Sequence, residues 1–446
     1  MTVPRKPVIL WVHKEFLYFL GVVLLVLVGV AAAFLRHAAI QTTAPLSEIV
    51  SGKTVVIDPG HGGDDPGCSG NGLVEKEVNL DISLRVRRLL NRLAVYGILT
   101  RDRDMDPLDY AILRGEGGVG GKSVKELKGK AWEREALLKR VEFVNKHKAD
   151  LFISIHANTF PSSIWSGAQT FYTVKRPENM ALAVAIQTRL VERLGPNYRE
   201  AKDAQFFVLN HTEIPAALVE IGFLSNPEEA GRLKDAAYRE KAAGAIVEGI
   251  VDYLVQAERG IKPPAPLSLQ TGARTGQKGG RTPGAGQIGL GSGGSTPQVE
   301  PGPAGVVVYF GGGTDANNWL VPEIRRPGGL NAGVPVEKRA RAAMEELIRG
   351  PHVGSGLQPT VPAHARLRSL TVKNGLATVD FDQEVSKDYW GGSWNEEMTV
   401  YSIVNTLTSI RGIDKVQILI EGEPGTIGGH ILLDQPLVRY QELINR

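Results

Sequence analysis

Residues 54–63 read Thr54-Val55-Val56-Ile57-Asp58-Pro59-Gly60-His61-Gly62-Gly63, a β-branched apolar run that stops at a proline-glycine turn around one histidine. Such a run predicts a buried strand, and the glycines let the backbone turn sharply beside the imidazole. In an α/β sheet the loop leaving the C-terminal end of a strand is where ligands bind. Leu151-Phe152-Ile153-Ser154-Ile155-His156-Ala157-Asn158 repeats the arrangement, so two histidines are expected at the ends of two core strands.

Working outward, apolar runs at 54–57, 98–101, 151–155, 170–172, 206–209 and 217–220 predict strands. Between them, 78–93, 175–194 and 227–254 read as helices, the last broken once. In the first of these Val78, Ile82, Val86, Leu89, Leu90 and Leu93 recur at helical spacing and predict one buried face. The alternation predicts an α/β domain over residues 51–258 with a mostly parallel sheet flanked by helices. Residues 114–130 hold six glycines without apolar periodicity and read as a loop or flap.

Residues 16–35 carry no charge over 20 positions, enough at ~1.5 Å per residue to cross a hydrocarbon core of ~30 Å. They read as a transmembrane anchor. Arg5, Lys6 and Lys14 precede the run, which puts residues 1–15 in the cytoplasm and the remainder, after a connector at 36–50, outside the membrane. A cleaved signal peptide is the competing reading, since small residues follow the run, and it too exports the rest of the chain. With 446 residues, two or three globular units are expected. A net charge of +3, with no dense basic run outside the linker, argues against nucleic acid as a partner. The single cysteine, Cys68, excludes an intramolecular disulfide.

Residues 259–304 form a linker: from Gly260 to Ala304 there are 12 Gly, 7 Pro and no aromatic residue. A flexible coil of that length spans roughly 35 to 40 Å, so the flanking domains are expected to move independently. Residues 305–446 read as a smaller α+β domain. Alternating runs over 369–381 meet at Asn374-Gly375, a type I′ hairpin signal that puts Leu370, Val372, Ala377, Val379 and Phe381 on one face. Helices at 336–349 and 395–410 and a strand at 415–420 complete it.

The titratable residues suggest a chemistry. Glu75 opens the helix after the first loop, so its carboxylate can face the edge that carries His61 and His156. Two imidazoles and a carboxylate make a three-ligand set for catalytic Zn2+ with a fourth position left for water. Glu220, at the end of the 217–220 strand, supplies a carboxylate that could act as the base in amide hydrolysis. Blander roles compete: Glu75 complementing a helix N-terminus, Glu220 pairing with an arginine, Asp58, Asp64 and Asp65 forming turns, and Cys68 filling an apolar niche. Of the other histidines, His211 is placed to touch a substrate; His13, His37, His147, His352, His364 and His430 show no partner pattern.

The strings Val55 to Gly63 and Gly72-Leu73-Val74-Glu75-Lys76-Glu77-Val78-Asn79-Leu80, then Thr100-Arg101, Ala149 to Asn158 and Val219-Glu220-Ile221-Gly222-Phe223-Leu224-Ser225-Asn226, resemble the zinc-dependent N-acetylmuramoyl-L-alanine amidases of the Amidase_3 family. The resemblance covers residues 54–254. It implies a six-stranded sheet, zinc held by His61, Glu75 and His156, Glu220 as the catalytic carboxylate, and peptidoglycan as substrate. The insert near 115–130 is most similar to the sporulation branch acting on spore cortex. Asn197-Tyr198-Arg199-Glu200-Ala201-Lys202 departs from the Asn-Arg-Gly of many relatives, which puts substrate contacts there in question. Residues 306–439 resemble the GerMN sporulation and germination module, through Leu320 to Arg326, Ala340 to Pro351, Leu367 to Phe381 and Val400 to Glu423. That module implies sporulation or cell-wall proteins as partners and brings no catalytic residue. A catalytically silent wall-binding scaffold and a zinc peptidase cutting within the peptide stem are the alternative functions.

Overall fold

In the computed structural model the opening strand, β1 (Thr54–Pro59), lies inside a six-stranded sheet. The structure describes residues 46–106, 130–195, 197–261, 301–314, 317–387 and 389–444, with residues 23, 28, 29 and 109 besides. The chain divides into two units, 1–51 and 52–446. The first contributes helix α1 (Leu46–Val50). The anchor expected at 16–35 lies almost wholly outside the described residues, among which no helix is long and apolar enough to cross a membrane.

In chain order the second unit continues with a two-stranded ribbon, β2 (Ser69–Gly70) and β3 (Leu73–Val74), then α2 (Glu75–Arg92), β4 (Tyr96–Leu99), α3 (Lys130–His147), β5 (Leu151–Asn158), β6 (Gln169–Tyr172), α4 (Pro177–Leu194), β7 (Lys202–Asp203), α5 (Phe207–His211), β8 (Ala216–Phe223), α6 (Pro227–Lys234) and α7 (Ala236–Glu258). The sheet order is β4-β1-β5-β8-β6-β7. All pairings are parallel except β6 with β8, so the sheet is mixed. The central strands β1 and β5 are buried along their length, which is why Val55 to Ile57 and Leu151 to Ile153 form apolar runs with no polar alternation. The expected break in the last helix falls at Asp235, whose side chain accepts from Ala237 N at 3.0 Å and so caps α7.

Of residues 206–209, expected as a strand, Phe207 to Leu209 lie in the short helix α5 and Phe206 caps it in extended conformation; the sixth strand is Lys202–Asp203. A fully apolar tetrapeptide has no periodicity that separates strand from helix, and here burial of Phe206, Phe207, Val208 and Leu209 decides. The expected loop at 114–130 lies outside the described residues except for Lys130, which begins α3.

The second half holds an antiparallel hairpin, β9 (Val306–Thr314) and β10 (Asn317–Arg325), then α8 (Val336–Arg349), β11 (Leu367–Lys373), β12 (Leu376–Phe381), α9 (Glu384–Lys387), α10 (Ser393–Thr408), β13 (Lys415–Ile420) and β14 (Leu437–Val438). The turn expected at Asn374-Gly375 has positive φ at both residues, 51° and 77°, as a type I′ turn requires. Leu370 pairs with Val379 and Val372 with Ala377, so the expected apolar face forms.

The two halves, expected to move independently, pack against each other in this arrangement. One hydrophobic cluster takes in Val56, Phe152, Phe171, Phe206 and Leu218 from the first half and Trp394, Met398, Ile427 and Phe381 from the second. Most of the linker lies outside the described residues, and composition alone carried no information about the faces it joins.

Candidate active site

The site begins where β1 ends. His61 has φ of 61°, an uncommon conformation for a side chain with a Cβ, and its loop is held by two buried arginines. Arg101 donates from Nε to His61 O (2.7 Å) and Pro59 O (3.1 Å), and from Nη2 to Gly60 O (3.0 Å). Arg140 donates to His61 O at 2.8 Å and pairs with Asp58. Burial, with the neighbouring Arg140 charge, pulls Arg101 down to about 10. Gly60 is required by close approach: a Cβ there would lie 2.1 Å from His156 Cε1.

Asp58 and Asp65, expected as turn formers, have larger roles. Asp58 is buried and accepts from Thr100 Oγ1 at 2.6 Å and Ser154 Oγ at 2.8 Å, while pairing with Arg140. Burial pushes its carboxyl up, but the Arg140 charge and these hydroxyls outweigh burial and hold it below the ordinary range. Asp65 Oδ2 sits 2.7 Å from His61 Nδ1 and orients the ring with Nε2 inward, as a carboxylate does behind a metal-binding histidine.

Glu75, the first residue of α2, is fully buried, and helix-terminus complementation does not describe its role. Its Oε2 accepts from Cys68 N at 2.8 Å and its Oε1 from Ala157 N at 3.1 Å. The same Oε1 lies 3.0 Å from His156 Nδ1 and 3.3 Å from His61 Nε2. Burial raises its pKa, but the two imidazoles outweigh burial and hold it well below the carboxylate range. Burial pulls His156 down to about 4 and so favours the neutral, ligating ring. Burial also lowers His61, yet the Asp65 and Glu75 charges override it and hold that ring well above 6.5.

Glu220 stands on β8 directly beside His156 of β5 in register and is 1% exposed. Its Oε1 accepts from Ser393 Oγ, so the expected arginine partner is not what it meets. Burial, then the Glu75 charge, pushes Glu220 up to about 8. Cys68 is buried, but not in an apolar niche: its thiol donates to Ala157 O at 3.1 Å and its backbone N–H to Glu75 Oε2. His211 lies away from the cluster, exposed at the end of α5 and stacked on Phe207 at 4.0 Å.

The residue that sequence reasoning passed over is His430. Its ring lies 5.3 Å from that of His61 and 5.0 Å from that of His156, and one nitrogen from each of the three falls within 4.8 Å of the others. Its Nδ1 faces Glu396 Oε2 at 2.9 Å. The Gly428-Gly429-His430 string, a glycine turn ending in histidine, is the one local signal that could have raised it.

These residues fit a divalent metal on the structure's own terms. His430 Nε2 and Glu220 Oε2 are buried without a hydrogen-bond partner, and His61 Nε2 has only Glu75 Oε1 at 3.3 Å, a costly arrangement for polar atoms unless a further group binds them. The 197–202 departure is structural here. Arg199 is buried, donates to Ser166 O at 2.6 Å and lies 4.7 Å over the Phe223 ring.

An α/β domain that gathers two histidines and two buried carboxylates from the ends of β1, β5 and β8 and the start of α2 has the residue types of a hydrolytic site. The model of the N-acetylmuramoyl-L-alanine amidase family matches residues 55–252, and a family described as sporulation and spore germination matches residues 307–426. A germination-specific N-acetylmuramoyl-L-alanine amidase of Bacillus subtilis (strain 168) is 40% identical over 213 residues, covering 48% of this chain and 84% of that relative. The amidase LytC of the same organism is 38% identical over 210 residues, covering 47% of this chain and 37% of LytC. A solved structure of the CwlD amidase from Clostridioides difficile in complex with the GerS lipoprotein is 35% identical, covering 46% of this chain and 98% of that one, with a TM-score of 0.41. The chain belongs to the N-acetylmuramoyl-L-alanine amidase family and is an amide hydrolase.

Proposed function

We propose that this protein hydrolyses the amide between N-acetylmuramic acid and L-alanine in peptidoglycan, with zinc, during sporulation or germination. The observation that carries this is the convergence of His61, Glu75 and His156 on one point, with Glu220 in register beside His156. The germination-specific relative and the C-terminal match to sporulation and germination proteins support the setting. In this reading residues 16–35 anchor the chain in the membrane, residues 51–258 catalyse outside the cytoplasm, and residues 305–446 meet wall or sporulation proteins across the 259–304 linker.

His61, Glu75 and His156 would hold the ion, with Asp65 orienting the first ring. The chemistry it supplies when bound is Lewis acidity toward the scissile carbonyl and the attacking water. Glu220 accepts the proton that water loses as its oxygen bonds the carbonyl carbon. It returns that proton to the leaving nitrogen as the C–N bond breaks. Arg101 and Arg140 keep the His61 loop rigid, so the donors need not reorganise.

Metal analysis of the purified chain tests the ligand set: about one zinc per chain is expected, and undiminished zinc in a His61→Ala, His156→Ala double variant refutes it. Mass analysis of fragments released from cortex and vegetative wall identifies the bond. Muramic acid and L-alanine ends support the amidase, while cuts within the stem point to a peptidase. Release of nothing by a folded, zinc-loaded protein with Glu220 accessible points to a silent scaffold.

A further inference from the structure

The amidase centre is covered by the second half of its own chain. Exposure of His61, His156 and Glu220 is 6%, 6% and 1%. A branched polymer such as a glycan-peptide strand cannot reach groups buried to that degree, so this arrangement admits no wall substrate.

The cover is specific to the reacting groups. Ser393, the first residue of α10, donates to Glu220 Oε1 and occupies the carboxylate that must accept a proton. His430 brings a third imidazole to the His61 and His156 rings, its outward Nδ1 braced by Glu396 and its Nε2 without a hydrogen-bond partner. The backbone of the 390–392 turn lies on the end of β5: Thr159 Oγ1 donates to Trp390 O, and Asn395 Nδ2 donates to Thr159 O at 2.5 Å. A Cβ added at Gly391 would lie 2.4 Å from Cys68 Cβ, and one at Gly392 would lie 2.0 Å from Asn158 Oδ1. The first turn of α10 carries Ser393, Asn395, Glu396 and Glu397, all buried; Glu396 is satisfied within its own half by Ile427 N and His430, whereas Glu397 accepts from Gln205 N of the amidase half at 2.8 Å. Polar clasps ring the contact, from Lys130 Nζ to Thr426 O at 2.8 Å and from Tyr440 Oη to Asp203 Oδ2 at 2.6 Å.

We infer that residues 305–446 are a built-in plug that holds the amidase latent, with His430 as a fourth protein donor at the metal position and Ser393 masking Glu220. This rests on the metal and base roles proposed above. A four-donor closed site is the structural kind of zinc site; a catalytic one keeps a position open, so displacement of the plug converts the first into the second. The trigger must bind the uncovered faces better than the closed form, because only differential affinity shifts such an equilibrium.

The test uses the full chain and three variants, His430→Ala, Ser393→Ala and Gly392→Leu, the last a wedge against Asn158. Readouts are zinc retention against a chelator, the absorption spectrum of cobalt-substituted protein, and hydrolysis of purified muropeptides. His430→Ala should lose zinc at least ~10-fold more readily and change the cobalt spectrum, while Ser393→Ala leaves both as in the parent. All three should hydrolyse muropeptides at least ~10-fold faster than the parent. Gly392→Leu keeps the test informative should His430→Ala misfold. An unchanged cobalt spectrum in His430→Ala, or a parent that hydrolyses muropeptides measurably and as fast as Gly392→Leu does, overturns the inference. Failure of the underlying reading looks different: His61→Ala would then retain zinc, or Gly392→Leu would bind zinc and hydrolyse nothing.

Discussion

His61 and His156 reach the centre from the ends of strands β1 and β5, whereas His430 reaches it from a glycine turn more than 270 residues away in the other half of the chain. The first pair is held by a rigid frame: Asp58, Arg101 and Arg140 lock the His61 loop, and Glu75 braces both rings. The third histidine is braced only by Glu396 and its neighbours, on a body tied to the first by polar contacts and a shared apolar surface. The difference separates residues that build a site from residues that occupy it. Loss of the first kind should cost stability or chemistry; loss of the second should loosen the metal at most and release activity.

The largest effect is expected at the frame. Arg140→Ala leaves Asp58 charged and buried, and should destabilise the unit by about 3–5 kcal/mol, measured by denaturant unfolding. A loss no greater than that of a surface arginine would mean the loop is held by Arg101 alone. The same pair sets an acid limb. Asp58's pKa is depressed in the fold, so its contribution is fully present above the unfolded value of 3.8 and is lost as pH falls through the folded value. Asp58→Asn should lower stability near neutral pH and flatten the unfolding curve below pH 3.8.

Next comes the base. In the wedged Gly392→Leu background, Glu220→Gln keeps its shape and cannot accept a proton, so turnover should fall at least ~10²-fold while zinc remains bound. Near-normal turnover with full zinc would remove Glu220 from the mechanism. Glu75→Gln should differ in kind, lowering metal occupancy and regaining part of the activity when zinc is added, as followed by metal analysis alongside hydrolysis.

The smallest effect sharpens the other side of the comparison. Tyr440→Phe removes the hydrogen bond to Asp203 at the rim and should cost only about 0.5–1.5 kcal/mol, while raising hydrolysis of muropeptides modestly. Hydrolysis unchanged or lowered would argue that the rim contact supports the fold and not the closure.

The sequence by itself determined much of the first half. Strand runs ending in Gly60-His61 and Ser154-Ile155-His156, and the string around Glu75 and Glu220, are local patterns whose chemistry is fixed by strand ends and helix starts. In the second half, the turn at Asn374-Gly375 and the alternating runs it joins were equally legible, because φ preferences and apolar alternation act within a few residues. Only the tertiary structure decided three things. It made a helix of Phe207 to Leu209, turned Asp58 and Asp65 from turn formers into the braces of a buried site, and set Ser393 and His430 against Glu220, His61 and His156. The physical reason is common to all three: each depends on which surface a side chain is buried against, and the Gly/Pro-rich stretch between the halves places no constraint that composition could reveal on which faces meet.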